Sequence, residues 1–319
     1  MDLELSERMR AFQESRVLLT AVELDVYTAV GEGATAAQVA ERIGGDPRAT
    51  EMFLHALAAL GMVEKRDGVF YNGALAARYF VAGSPEDARA ATLHTVNLWE
   101  RWSNLTSRVC PGGPQSRVVP WTESFIAAMD AIARERAPGV VKAVGASGTR
   151  RMLDIGGGSG AYSIAFARAN PELSAEILDV GAVVPIARRH IEAAGLSDRI
   201  LVREGDLHQA SYGAGYDLVF ISSICHMLGP EENVEMLHKS REALVAGGRV
   251  VIQDFILDRD KTGPRPAALF ALNMLVGTER GSSYSEDEYA GWLAGCGFRE
   301  IRRIDLPGPS SLMVGSRAR

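Results

Sequence analysis

Between residues 151 and 255, short β-rich runs alternate with helical stretches, and this alternation constrains the fold more than any other feature of the chain. Strands are predicted at Arg151 to Ile155, Ala175 to Asp179, Ile200 to Glu204, Asp217 to Ser222 and Arg249 to Phe255. Helices are predicted at Ser159 to Asn170, Val183 to Ala194 and Glu231 to Leu244. Repeated βα units imply an α/β fold, with a mostly parallel sheet covered by helices on both faces. Two further β-rich segments, Phe298 to Asp305 and Leu312 to Ser316, close the chain. The 319 residues, 47% of them hydrophobic and 23% charged, exceed one small module and exclude global disorder.

The first hundred residues read differently. From Met9 to Val30, apolar residues at Met9, Phe12, Leu19, Val22, Val26 and Val30 keep helical spacing, so amphipathic helices are expected there. Ala36 to Ile43, the turn at Gly44-Gly45 and a second helical run with Phe53, Leu57 and Leu60 on one stripe have helix-turn-helix spacing. Met62 to Tyr71 then supplies two short apolar segments joined through Asp67-Gly68, a strong hairpin signal. Helix, helix and hairpin spell a winged helix. The breaker-rich stretch Cys110 to Ser116 marks a loop near a domain boundary at about 108. The expected division is a winged-helix-like domain over 1–108 and a second domain over 109–319.

A winged helix invites the reading of a DNA-binding regulator, and charge argues against it. Lys and Arg number 34 against 40 Asp and Glu, a net charge of −6, which offers no broad attraction to phosphate backbones or anionic lipid. Residues 1 to 95 hold nine Lys plus Arg against fourteen Asp plus Glu. The would-be recognition helix, Arg48 to Leu60, has Arg48 as its only Lys or Arg, and so apolar a helix is better suited to burial against a second subunit. Three cysteines, Cys110, Cys225 and Cys296, without close spacing, argue against a disulfide framework or structural zinc. No apolar run approaches the ~18 residues of a membrane span, and the start at Met1-Asp2-Leu3-Glu4 is acidic where a signal peptide is basic. A soluble, unprocessed, cytoplasmic protein with no nucleic-acid or membrane partner is expected.

The chemistry concentrates where the first strand meets its helix, at Leu153-Asp154-Ile155-Gly156-Gly157-Gly158-Ser159-Gly160. Glycines at such a turn let the backbone approach a ligand and aim N–H groups at it. Gly156, Gly158 and Ala161 also satisfy the dinucleotide pattern G-x-G-x-x-G/A, so an NAD-dependent oxidoreductase stays open on this motif alone. Asp179 ends the second strand, 23 residues after Gly156, where a carboxylate can accept both hydroxyls of a ribose. Asp206, in Gly205-Asp206-Leu207, offers an acceptor for the exocyclic amine of adenine beside an apolar residue, and Leu244 to Ile252 leads through Gly247-Gly248 into the fifth strand.

Together these features resemble the S-adenosylmethionine-dependent methyltransferases. The whole chain resembles the small-molecule O-methyltransferases of the caffeic acid, isoflavone and acetylserotonin type. The resemblance implies a Rossmann-like class I methyltransferase sheet with an N-terminal, mainly α-helical winged-helix dimerisation domain. It also implies a homodimer, and S-adenosyl-L-methionine as the cofactor, leaving as S-adenosyl-L-homocysteine, with no metal. Its most telling segment is Asp217-Leu218-Val219-Phe220-Ile221-Ser222-Ser223-Ile224-Cys225-His226, because the family's general base is the histidine just beyond the fourth strand. Asp254 falls on the acidic residue that orients that histidine. Cofactor contacts are implied at Asp154, Gly156, Gly158, Ser159, Gly160, Asp179, Val180, Gly205, Asp206, Leu207 and Ser222, and pocket walls at Phe125, Met129, Asn273 and Met274.

The chain departs from the family's pattern around the histidine. Met227 and Leu228 stand where aspartate and tryptophan usually follow, and Ser222 replaces a lysine common in plant members. A second supporting acid aligns with Ser283, and Glu279, four residues earlier, is the candidate to substitute for it. Carbon- and nitrogen-methylating relatives share the scaffold, so the acceptor atom stays open. Trp99 and Trp102, three apart on a predicted helix, read as core residues, with an aromatic floor for a planar substrate as the alternative. No pair among the six histidines, at 55, 94, 190, 208, 226 and 238, has metal-ligand spacing on one helix, and His238 reads as part of a solvated face.

Overall fold

A computed structural model describes residues 3–103, 105–106, 121–145 and 147–319. The loop predicted at Cys110 to Ser116 and the boundary at 108 lie outside the described residues. The chain forms two compact units, Met1–Arg117 with Asp260–Gly277, and Val118–Arg259 with Thr278–Arg319. Residues 260–277, which a single division at 108 leaves with the sheet, thus belong to the first unit.

In the first unit the helices are α1 (Leu3–Glu23), α2 (Val26–Val30), α3 (Ala36–Ile43), α4 (Pro47–Ala59), α5 (Ala74–Tyr79) and α6 (Arg89–Ser103). Strands β1 (Ala34–Thr35), β2 (Val63–Arg66) and β3 (Val69–Asn72) form a small antiparallel sheet in the order β1-β3-β2. Thr35 and Gln38 cap α3 reciprocally, and Asp46 with Pro47 starts α4 by accepting from Ala49 N. Asp67 and Gly68 both have positive φ, 50° and 79°, the backbone a two-residue type I′ hairpin requires. This is the predicted winged helix. The face of α4 that a DNA reader would expose is buried: Met52, Leu54, His55 and Leu57 pack inward, beside Leu269 and Leu272 of the helix at 265–277.

The long N-terminal stripe behaves differently along its length. Leu19, Val22, Val26 and Val30 are buried as predicted, whereas Met9 and Phe12 are 52% and 55% exposed. The small core closes on the second half of α1 and leaves its first turns outside.

The second unit holds helices α7 (Trp121–Val144), α8 (Ala161–Ala169), α9 (Val184–Ala193) and α10 (Pro230–Ala243), and, beyond α11 (Arg265–Gly277) of the first unit, α12 (Glu286–Gly295). Its strands are β4 (Arg151–Ile155), β5 (Ser174–Asp179), β6 (Ile200–Glu204), β7 (Tyr216–Ser222), β8 (Leu244–Asp254), β9 (Phe298–Asp305) and β10 (Ser311–Arg317). They form one sheet in the order β6-β5-β4-β7-β8-β10-β9, parallel except that β10 runs antiparallel to both neighbours. The central strands are nearly continuous apolar runs because both faces are covered, with Leu153, Ile155, Val219 and Ile221 in one core cluster and Met152, Leu218 and Phe220 in the other. From β4 the chain first builds outward through β5 and β6, then returns to place β7 on the other side of β4. The crevice at such a reversal, beyond the carboxyl ends of the strands, is where open α/β sheets take ligands.

Candidate active site

The turn after β4 needs its glycines for their backbone angles and for the space a side chain would fill. Gly156, Gly158 and Gly160 have φ of 66°, 58° and 80°, a region side chains rarely adopt. A Cβ at Gly156 would lie 2.3 Å from Ile224 Cδ1, and one at Gly157 would lie 2.9 Å from the Asp154 carboxyl. Ser159 is buried beside them. The Gly156 contact ties the glycine turn directly to the segment that carries His226.

Asp154 is buried under this turn. Ser163 Oγ donates to its Oδ2 at 2.7 Å, while Oδ1 has no partner among the described residues. Burial pushes the carboxyl up to about 7. Asp179, at the end of β5, accepts from Gly158 N on Oδ2 and from Val180 N on Oδ1, both at 2.8 Å. Burial raises its pKa above the ordinary carboxylate range, against the pull of those two donors. Each oxygen retains a second lone pair for an incoming hydroxyl. Gly205 N donates to Asp179 O at 2.9 Å, and a Cβ at Gly205 would lie 2.7 Å from Leu178 Cδ1. Asp206 is exposed and caps its own turn through His208 N, while Leu207 packs against the core. On the other side of β4, Ser222 ends β7, where its Oγ donates to Gln253 Oε1 at 3.3 Å.

His226 sits on a 3-10 turn, Cys225–Met227, just after β7, and its side chain is 8% exposed. Its Nδ1 lies 2.6 Å from Oδ1 of Asp254, the last residue of β8. Since a carboxylate only accepts, Nδ1 is the donor, and in the neutral ring the lone pair is left on Nε2. The main chain of His226 is tied down as well: Ser282 N donates to His226 O at 2.9 Å, and a Cβ at Gly281 would lie 2.4 Å from that oxygen. Beside this contact Ser283 is buried with its Oγ unpartnered among the described residues, while Glu279 is exposed on the turn after α11.

The second unit therefore brings together the implied cofactor residues and the His226–Asp254 pair at one end of one sheet. Phe125, 41% exposed, and half-buried Met129 flank Ile126 on α7 in the same unit; Ile126 packs against Val183 and Ile186. Asn273 and Met274 lie on α11, and Trp99 and Trp102 on α6, all in the first unit. The core reading of the tryptophans is corrected for Trp102, which is 69% exposed because it faces away from the unit's core; Trp99 is half-buried beneath the Arg16 guanidinium. His238 is exposed on α10, as predicted. Ile224, Gln253 and Tyr289 were not singled out from sequence. Each acts across strands or helices distant in sequence, and none lies in a local pattern.

Family models add what geometry alone leaves open. The dimerisation domain of O-methyltransferases matches residues 6–83, and the O-methyltransferase domain matches residues 116–299. The chain belongs to the O-methyltransferase family. This is a family of S-adenosylmethionine-dependent, secondary-metabolite methyltransferases, and the observed sheet and helical N-terminal unit are its fold. The 3-hydroxy-5-methyl-1-naphthoate 3-O-methyltransferase of Streptomyces sahachiroi is 33% identical over 98% of this chain and 95% of its own length. The L-tyrosine C(3)-methyltransferase of Streptomyces lavendulae is 37% identical over 56% of this chain and 50% of its own. The solved structure of PigF with SAH, from Serratia, has a TM-score of 0.57 and 27% identity, covering 99% of each chain.

Proposed function

We propose that this O-methyltransferase moves the methyl group of S-adenosylmethionine to a hydroxyl of a small aromatic or polycyclic metabolite, with His226 as general base. The observation that carries the reading is the buried His226–Asp254 pair, 2.6 Å apart, on the segment that packs against the glycine turn. A relative that shares a third of the sequence takes a hydroxynaphthoate, which supports a hydroxyarene as the acceptor class.

The residues present fit the cofactor. At Gly158 a Cβ would meet only Ile126 Cδ1, at 3.9 Å, so the turn is open on that side. In this reading Asp179 would hold the ribose and Asp206 the adenine, and the cofactor would supply an electrophilic methyl carbon activated by its sulfonium. Asp254 fixes the tautomer of His226, whose Nε2 accepts the hydroxyl proton as the acceptor oxygen attacks. Asp254 then stabilises the imidazolium, as carboxylates do in hydrolase triads. Holding the two reactants in line contributes the larger share of the acceleration.

Calorimetry tests the cofactor assignment: S-adenosylhomocysteine should bind in the micromolar range or tighter, and NAD weakly or not at all. Tight NAD binding with no response to S-adenosylhomocysteine overturns it. Incubating labelled S-adenosylmethionine with a panel of hydroxynaphthoic acids and other hydroxyarenes tests the acceptor class. The C-methylating relative favours carbon as the second reading, and the chemical shift of the labelled methyl carbon separates the two products.

A homodimer is part of this proposal. Leu5, Met9 and Phe12 form an exposed stripe on α1, and Leu93 and Trp102 are exposed on α6, the kind of apolar surface that subunit association covers. Light scattering should give twice the 34.3 kDa chain mass. A monomer at micromolar concentration, or salt-dependent duplex DNA binding, contradicts the assignment.

A further inference from the structure

Asp254 is a buried carboxylate with no Lys or Arg beside it among the described residues; its one ion-pair partner is His226. Such a group needs hydrogen bonds in place of a counter-ion. It accepts four: Oδ1 takes His226 Nδ1 at 2.6 Å and Phe255 N at 2.8 Å, and Oδ2 takes His226 N at 3.1 Å and the Tyr289 hydroxyl at 3.2 Å. Three of the four donors come from the His226 turn or the strand's own continuation. Tyr289 is the fourth, and it reaches Asp254 from α12.

Its ring is fully buried and packed edge-on against Trp292 and Tyr284, with centroids 5.3 and 6.1 Å away. The helix that carries it is fixed at its start by the reciprocal Ser285–Glu288 cap and by Glu286 N donating to Leu257 O, just past β8. The hydroxyl therefore has little freedom to leave Oδ2. Burial raises the phenol well above its ordinary pKa, so it stays a donor; the other titratable groups facing this cluster are Cys225, also raised by burial, and Tyr284.

We propose that Tyr289 is a positioning residue for methyl transfer: it anchors Asp254 Oδ2, so that Oδ1 stays aimed at His226 Nδ1 and the lone pair stays on Nε2. The proposal rests on His226 as the base. The support for the histidine's carboxylate comes from a phenol.

Tyr289→Phe removes one oxygen and keeps the ring. Without that anchor Oδ1 should sit less squarely on Nδ1–H, moving that proton's low-field NMR resonance upfield in the cofactor-bound protein. With the hydroxyarene that turns over in the acceptor panel, the acid limb of kcat/KM should move down by roughly half a pH unit, because the imidazolium is held less tightly. At neutral pH kcat should fall by about tenfold, with the acceptor KM and S-adenosylhomocysteine affinity unchanged. The same substitution made on top of Asp254→Asn should cost nothing further, since both act through one contact. If the resonance and the limb stay put and the losses add, the tyrosine is only a core residue and the proposal fails. The base assignment fails separately if the acid limb survives in His226→Ala.

Discussion

His226→Ala should cut turnover by about 10²–10⁴ while leaving S-adenosylhomocysteine affinity nearly unchanged. The split follows from the geometry. The ring is held by Asp254 and its backbone by the Ser282 amide, and the Asp179 and Asp206 carboxylates stand at the ends of other strands. Removing the imidazole removes the proposed proton acceptor and leaves the glycine turn intact. Raising the pH should partly rescue the variant with an acceptor acidic enough to ionise by itself, because the proton then departs before transfer. Asp254→Asn should show a smaller loss of the same kind, since the amide can still orient the ring but carries no charge to stabilise the imidazolium. Near wild-type turnover by His226→Ala on its own acceptor would remove the base assignment and leave a carbon-methylating or proximity-only mechanism.

Asp179→Ala should have the second largest effect, and on binding. Its carboxylate accepts from Gly158 N and Val180 N while its remaining lone pairs face the expected ribose hydroxyls. Hydrogen bonds to a charged group contribute roughly 1.5–3 kcal/mol, so losing them should weaken S-adenosylhomocysteine by about tenfold to a hundredfold in calorimetry. The Gly158 amide loses its anchor in the same substitution, which pushes the loss toward the upper figure. The pH dependence has a definite sign. Burial raises the Asp179 pKa, so on acidification its charge is lost earlier than at an exposed aspartate, and affinity should fall with it. Asp179→Asn should abolish that dependence. Unchanged affinity in Asp179→Ala would remove the residue from the cofactor site.

Much of this was legible in one dimension because local rules decide it. The βα alternation is carried by apolar runs of strand length separated by helical spacing, and each strand from Arg151 to Ser222 lies within a residue of its predicted place. The glycine turn was legible because positive φ at three positions admits little else. The hairpin was legible because Asp67-Gly68 fits only a narrow class of turns. The His226–Asp254 pairing could be named through the family resemblance, but no local pattern contains it, since 28 residues separate the partners.

By itself, then, the sequence determined the alternation of strands and helices from 151 to 243, the mostly parallel sheet, the winged helix and the glycine turn after β4. These depend on backbone preferences and burial patterns within a few residues, which any neighbouring context leaves intact. Only the tertiary structure decided that 260–277 belongs with the N-terminal unit, that the first turns of α1 stay outside the core, and that a tyrosine hydroxyl supports the Asp254 carboxylate. Each depends on which surfaces meet after the chain returns across the sheet. A buried carboxylate takes whatever donor the packing brings to it, and periodicity along the chain carries no record of that encounter.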